Sequence, residues 1–292
     1  MKLAVASGKG GTGKTTLAVS LALSAPGPVR LLDCDVEAPN THLFLDLCIE
    51  GSQPVTVPVP KIDPELCDGC GECSTACAFN ALAAMGGPPL LFAELCHGCG
   101  LCSMVCPREA ITEITREVGT VQWGETSGGI PFVQGLLNVG EAKAPPVIEA
   151  VREHAAESGL TVMDCPPGTA CSFVAGVRDA DAAILVTEPT PFGLSDLELA
   201  VAATRQLEVP FAVAINRADV GDHRVREFCR DEGIPVILEI PDDRRVAEGY
   251  ARGQAAVVAV PELQPLFARL HHDLRHGFGY DPRLREVADA HL

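Results

Sequence analysis

Eight residues near the start of the chain constrain its fold more than any others: Gly8-Lys9-Gly10-Gly11-Thr12-Gly13-Lys14-Thr15. They follow a short apolar run, Lys2 to Ala6, and open an alanine- and leucine-rich stretch from Thr15 to Ser24. The first reads as a strand and the second as a buried helix. Pro26-Gly27-Pro28 ends that helix, and Val29 to Asp33 reads as a second strand. Strand, glycine loop, helix and strand in this order begin a doubly wound, mostly parallel α/β sheet. The glycines let successive backbone N–H groups converge on phosphate oxygens, and the helix adds the positive end of its dipole. The pattern G-x-x-x-x-G-K-[ST] directs Lys14 to the β- and γ-phosphates and Thr15 to Mg²⁺. Gly8, Gly10, Gly11, Thr12, Gly13 and Thr16 complete the expected cradle.

The α/β rhythm breaks at residues 61–115. Eight of the 13 cysteines fall between 67 and 106, inside an internal repeat. Glu65-Leu66-Cys67-Asp68-Gly69-Cys70-Gly71-Glu72-Cys73 matches Glu94-Leu95-Cys96-His97-Gly98-Cys99-Gly100-Leu101-Cys102, and the match reaches Cys77 and Cys106, then Ala81 and Ala110. Tight clustering of this kind points to metal rather than disulfides. Each run has the C-x₂-C-x₂-C-x₃-C spacing of bacterial two-cluster ferredoxins, in which the fourth cysteine of a run serves the other cluster. The expected ligand sets are Cys67, Cys70, Cys73 and Cys106 for one [4Fe–4S] cluster, and Cys96, Cys99, Cys102 and Cys77 for the other. Zinc is the rival, but four-cysteine zinc sites usually use two well-separated C-x₂-C pairs. Proline follows Cys106, whereas Ala78 follows Cys77. His97 reads as a tuning or surface residue, because the cysteines fill the site. Cys34, Cys48, Cys165, Cys171 and Cys229 read as small buried hydrophobes.

Beyond the repeat, strands are expected at Leu160–Met163, Ala182–Thr187, Phe211–Ile215 and Ile234–Glu239. Residues 54–60, with three prolines, read as an edge strand or linker, since proline cannot donate into a central ladder. Gly124 to Gly140 reads as loops offering a partner surface. The domains expected are 1–60 and 116–292, the two parts of an α/β P-loop domain, with 61–115 inserted as a small α+β ferredoxin-like unit. Aromatic residues make up only 4% of the chain, so its core must be aliphatic, which suits buried parallel strands. The balance of 22 basic to 39 acidic residues argues against nucleic acid and anionic lipid as partners. No apolar run approaches the ~18 residues of a membrane span. Residues 265–292 carry four arginines against four acids, too little charge bias for a stable membrane anchor. The start, running straight into the phosphate loop, reads as that of a cytoplasmic protein without a signal peptide.

Residues 9–15, Lys-Gly-Gly-Thr-Gly-Lys-Thr, resemble the deviant P-loop of the MinD/ParA/Mrp ATPases, which include the nitrogenase iron protein. Asp33-Cys34-Asp35 resembles that family's switch I, and Asp164-Cys165-Pro166-Pro167-Gly168 its switch II. The resemblance implies ATP or ADP with Mg²⁺, and a homodimer in which Lys9 reaches the partner's nucleotide. It implies that Asp35 orients the attacking water, that Asp33 supports the magnesium shell, that Asp164 holds Mg²⁺ through water and that Gly168 senses the γ-phosphate. Asn216 resembles the adenine-reading position and Pro241 the second base-contacting loop. Together with the cysteine runs, the arrangement resembles a MinD-superfamily ATPase with an inserted ferredoxin domain. The function expected first is a slow, partner-stimulated ATPase coupling nucleotide state to electron transfer with a redox partner protein. The alternatives are an iron–sulfur or metal-cofactor assembly carrier, which would have an assembly partner, and a MinD/ParA-type positioning ATPase.

Overall fold

The computed structural model describes residues 1–277. The part of the expected C-terminal tail beyond them lies outside the described residues. The strands are β1 (Lys2–Ser7), β2 (Val29–Asp33), β3 (Leu47–Ile62), β4 (Leu82–Ala83), β5 (Leu90–Leu91), β6 (Ile111–Thr126), β7 (Pro131–Leu137), β8 (Leu160–Pro167), β9 (Ala182–Thr187), β10 (Phe211–Asn216) and β11 (Val236–Ile240). The helices are α1 (Lys14–Leu23), α2 (Glu72–Ala76), α3 (Leu101–Met104), α4 (Pro145–Arg152), α5 (Cys171–Val177), α6 (Pro191–Gln206), α7 (Arg224–Asp231), α8 (Arg244–Tyr250), α9 (Ala256–Ala259) and α10 (Gln264–His276).

Among the described residues, nine strands form one sheet in the order β11-β10-β9-β1-β8-β2-β7-β6-β3. From β11 to β7 every neighbouring pair is parallel. β1 and β9 are apolar runs buried on both faces, as central parallel strands must be. One core layer packs Val147, Phe173, Leu197 and Val225, from α4 to α7, against one face of the sheet. A second packs Leu17 and Leu21 of α1, Val257 of α9, and Phe267 and Leu270 of α10 against the other. Each such side chain contributes about 1.5–3 kcal/mol when fully buried. The long helix α6 starts where the sequence requires it: Pro191 occupies its first turn, and the Thr190 hydroxyl accepts the Gly193 N–H at 3.0 Å.

The sheet ends in an antiparallel ribbon. β6 pairs with β7 on one side and with β3 on the other. β3 is the free edge, and Pro54, Pro58 and Pro60 sit in it. β7 stops at Leu137, opposite Gly119, which pairs with Val55. Beyond that level Thr56–Ile62 and Ile111–Val118 continue as two strands alone for roughly 20 Å, at about 3.3 Å per residue. They run past the edge of the sheet at which β1, β2 and β8 end, and residues 63–110 sit at the tip.

The expectation of loops from Gly124 to Gly140 is corrected: most of this segment is the end of β6 and the whole of β7, with irregular structure only at residues 127–130 and 138–140. Its glycines serve close packing. A Cβ on Gly124 would lie 1.9 Å from the Cys48 carbonyl oxygen, and one on Gly135 would lie 2.5 Å from Val36 Cγ1.

Candidate functional site: a phosphate-loop cleft and two cysteine cavities

β1, β2 and β8 deliver their last residues to one point. Val5 and Asp33 both stand in register with Asp164. The loop after β1 swings over this edge into α1. Gly13, at the helix start, is left-handed at φ +97, and a Cβ there would strike Asn216 Nδ2 at 2.3 Å. Gly8 faces α6 so closely that a Cβ would lie 2.0 Å from the Asp196 carbonyl oxygen. The Asn216 amide donates to the Thr12 carbonyl at 3.0 Å, tying the end of β10 to the loop.

Gly10, Gly11, Gly13, Lys14, Thr15, Thr16, Asp35, Asn216 and Pro241 line a single cleft. Gly8, Lys9, Thr12, Asp33, Asp164 and Gly168 stand behind or beside it. Lys9 is half-buried, and its carbonyl accepts the Ser7 hydroxyl at 2.6 Å. Asp33 is fully buried and turned to the switch loop, where its two oxygens accept the N–H groups of Asp35, Asn40 and Thr41 at 3.0–3.1 Å. Asp164 Oδ2 accepts the Thr15 hydroxyl at 2.6 Å, while Oδ1 is buried with no hydrogen-bond partner. Gly168, at φ +96, donates its N–H to the Ser7 carbonyl at 3.0 Å.

Burial raises the pKa of all three aspartates. Asp33 is pushed up to about 8, by burial first and then by the charge of Asp164. Asp164 is pushed up to about 6 by burial, against the Thr15 hydroxyl and the Lys14 ammonium, which favour its charged form. Asp35 is raised by burial too, with Lys14 opposing. Lys14 is buried beside Asp35 and Asp164, and with both carboxylates ionised one negative charge is left over, which a divalent cation would balance.

Two participants give little sign in the sequence. Thr41 is fully buried, and its hydroxyl reaches Asp164 Oδ2 at 3.3 Å, so it links the loop after β2 to the end of β8. Tyr250 lines the cleft, with its ring centroid 4.7 Å from that of Phe44. A polar residue eight positions after the end of β2 and a tyrosine on a short helix match no phosphate-loop pattern.

At the tip of the ribbon, the eight clustered cysteines separate into two cavities. Cys67, Cys70 and Cys73 line one, together with Cys106 from the second run. Cys96, Cys99 and Cys102 line the other, together with Cys77 from the first. The exchange follows from the repeat. Each fourth cysteine is fixed by the N–H four residues later: Ala81 donates to Cys77 Sγ and Ala110 to Cys106 Sγ, both at 3.3 Å. The loops between the first three cysteines turn through left-handed glycines, Gly69 and Gly71 in one and Gly98 and Gly100 in the other. His97 stacks on Phe79 with centroids 3.7 Å apart, at the wall of the second cavity. Among the described residues, no three His, Cys, Asp or Glu side chains converge tightly enough for a single metal ion.

The other cysteines divide by burial. Cys34, Cys165 and Cys229 are buried, and burial raises the thiol pKa of each, to about 11 for Cys229. Cys48 and Cys171 are exposed, which corrects their reading as buried hydrophobes. No helix among the described residues is long and apolar enough to cross a membrane.

A family model for the CobQ/CobB/MinD/ParA nucleotide binding domain (CbiA) matches residues 3–257. An uncharacterized protein of Methanocaldococcus jannaschii is 34% identical over 246 residues, covering 82% of this chain and 86% of its own. A protein of Pyrococcus horikoshii named iron-sulfur cluster carrier protein is 26% identical over 275 residues, covering 86% of this chain and 77% of its own. Among solved structures, the septum site-determining protein MinD of Pyrococcus horikoshii, complexed with Mg-ADP, superposes with a TM-score of 0.55 at 18% identity. That match covers 94% of this chain and 95% of the other, and it shows a shared fold.

Proposed function

The chain belongs to the CobQ/CobB/MinD/ParA nucleotide-binding family, and we propose that it is an ATP-hydrolysing homodimer that holds two [4Fe–4S] clusters and couples nucleotide state to electron transfer with a partner protein. One observation carries this reading: two cavities, each lined by four cysteines with exchanged fourth members, stand on a ribbon that rises from the sheet edge holding the phosphate-loop cleft.

In the cleft, Lys14 and the loop N–H groups bind the β- and γ-phosphates. Thr15 and Asp164 hold Mg²⁺, and the orphaned Asp164 Oδ1 supports that assignment. Asp35, at the cleft wall, orients the attacking water. Asp33 acts one step back by fixing the backbone of residues 35–41. Lys9 does not line its own chain's cleft, which suits a cation offered to the partner's nucleotide, where it balances charge on the transferred phosphoryl group. Asn216 and Pro241 lie at the base-binding end.

The donor chemistry of the two cavities fits iron–sulfur clusters: eight thiols, four to a cavity, and backbone N–H groups aimed at sulfur. Four thiols spread around a cavity suit the corners of a cubane better than one tetrahedral ion. When bound, such clusters supply one-electron carriers at low potential. Clustered cysteines of this kind suit a reducing compartment, which we take to be the cytoplasm.

A cluster-carrier function is the second reading, favoured by the relative named iron-sulfur cluster carrier protein. Transfer to an apo-ferredoxin separates the two. Anaerobic protein that keeps about eight irons while MgATP turns over, and passes electrons but no iron, supports the redox reading. Release of iron to the acceptor in step with hydrolysis overturns it.

A further inference from the structure

The two cysteine cavities differ in how they join the rest of the molecule. The Cys67 cavity is distal: it reaches the ribbon at Ile111, the last rung, and its one cation, Arg108, is paired with Asp68 at 2.7 Å. The Cys96 cavity sits lower, against Pro60 and Glu113, and Gly98 packs on Pro58. A cation from the nucleotide-binding body also reaches it, since the Lys143 ammonium donates to the Cys96 carbonyl.

Lys143 is carried on a short strap, residues 138–144, between β7 and α4. Its root is bound to switch I: Leu137 donates its N–H to the Val36 carbonyl at 2.9 Å, one residue after Asp35. Asn138 then donates to Val118 of the ribbon at 3.0 Å. Glu141, its side chain only 2% exposed, pairs with Arg116 of the ribbon at 2.6 Å and accepts the Lys143 N–H at 3.1 Å. The far end enters α4, whose last residue, Arg152, donates to the Ala175 and Arg178 carbonyls at the C-terminal end of α5, the helix that follows β8. The strap is thus rooted beside Asp35 and pinned to the ribbon, and its ammonium is bonded to the peptide of one cysteine cavity only.

We infer that Lys143 is a positioning residue that sets the potential of the cluster in the Cys96 cavity and conveys nucleotide state to that cluster and not to the other. The inference rests on the cluster reading above. Its physical basis is direct. Reduction adds one negative charge to the cluster, and a nearby cation stabilises the reduced form and raises the potential. Polarising the Cys96 peptide acts in the same direction. A strap displaced by switch I moves this cation, whereas Arg108 rides on the insert itself.

The test uses the full-length protein reconstituted with both clusters. Iron is counted, and the two reduction waves are followed by EPR during dithionite titration, with ADP and then with a non-hydrolysed ATP analogue. Cys99→Ser identifies the wave of the Cys96 cavity by altering or removing it. Lys143→Gln is expected to retain about eight irons and to make that wave harder to reduce by about tenfold in equilibrium, about 59 mV for one electron. The other wave should stay in place, and the nucleotide-dependent shift should vanish. Lys143→Arg is expected to restore both position and shift. Unchanged waves in Lys143→Gln at full iron content, or equal movement of both, overturn the inference while leaving the clusters standing. Fewer than four irons in the wild-type protein overturn the cluster reading and the inference with it.

Discussion

The Thr15 hydroxyl donates to Asp164 Oδ2 at 2.6 Å, joining the first turn of the phosphate-loop helix to the end of β8. The two residues lie 149 positions apart, and the bond holds closed the place where a divalent cation would bridge them. The same oxygen takes the Thr41 hydroxyl at 3.3 Å, so the phosphate-loop helix and the loop after β2 converge on one carboxylate.

A carboxylate in that position costs stability once ionised. Asp33 and Asp164 have folded-state pKa values raised to about 8 and about 6, in both cases first by burial. For an acid raised in this way, folding is most favourable below the unfolded-chain value near 4, where both states are protonated. Stability then falls as pH rises through about 6 and on towards about 8. The nucleotide-free protein should melt at a lower temperature at pH 8 than at pH 5.5. Asp33→Asn, which removes the carboxyl raised furthest, should flatten that slope. Thermal melts of the wild type and this variant across the range check it, and parallel slopes would refute the assignment.

The two lysines of the loop should separate binding from assembly. Lys14→Ala is expected to lose nucleotide affinity at least tenfold in the isolated chain. Lys9→Ala should bind nucleotide near-normally, yet fail both to dimerise with a non-hydrolysed ATP analogue and to hydrolyse ATP. Equilibrium binding and light scattering read the two effects independently. A Lys9→Ala protein that dimerises and turns over as wild type would remove the proposed role in trans.

Close approach makes Gly8 the weak point of the loop. Gly8→Ala must drive a Cβ into the Asp196 carbonyl, so α6 and the loop must part; overpacking of this kind typically costs about 1–3 kcal/mol. Gly10→Ala meets nothing within 4 Å and should leave unfolding stability within about 0.5 kcal/mol. Denaturant unfolding of the two variants gives the comparison directly.

The exchanged cysteines make a counting prediction. Cys106→Ala should empty the Cys67 cavity and Cys77→Ala the Cys96 cavity, each lowering iron from about eight to about four per chain. The EPR signal that survives should differ between the two. If each run served only its own cluster, the surviving signals would be interchanged relative to Cys70→Ala and Cys99→Ala.

What the sequence disclosed here was local and contiguous. The phosphate loop is eight consecutive residues between a strand and a helix, and each cysteine run fits within eleven positions, so spacing alone carries the chemistry. The exchange of Cys77 and Cys106 follows because the repeat preserves Ala81 and Ala110, the donors to those sulfurs. Non-local packing was hidden. Gly119, Gly124 and Gly135 resemble loop formers, yet each lies in a strand because a neighbouring backbone or side chain leaves no room for a Cβ. Lys143 and Glu141 meet partners 47 and 25 positions away, and no local pattern signals either contact.

The central claim is that nucleotide and clusters belong to one mechanism, and an anaerobic redox titration followed by EPR tests it most directly. The wild-type protein is titrated with ADP and then with a non-hydrolysed ATP analogue, with iron and sulfide measured on the same sample. The account predicts about eight irons and a nucleotide-dependent shift of about 30–60 mV in one of two waves. By reciprocity, reduction should change nucleotide affinity by the same free energy. About eight irons with both waves indifferent to nucleotide would contradict the account, leaving a two-cluster module and an ATPase that share a chain without sharing a mechanism.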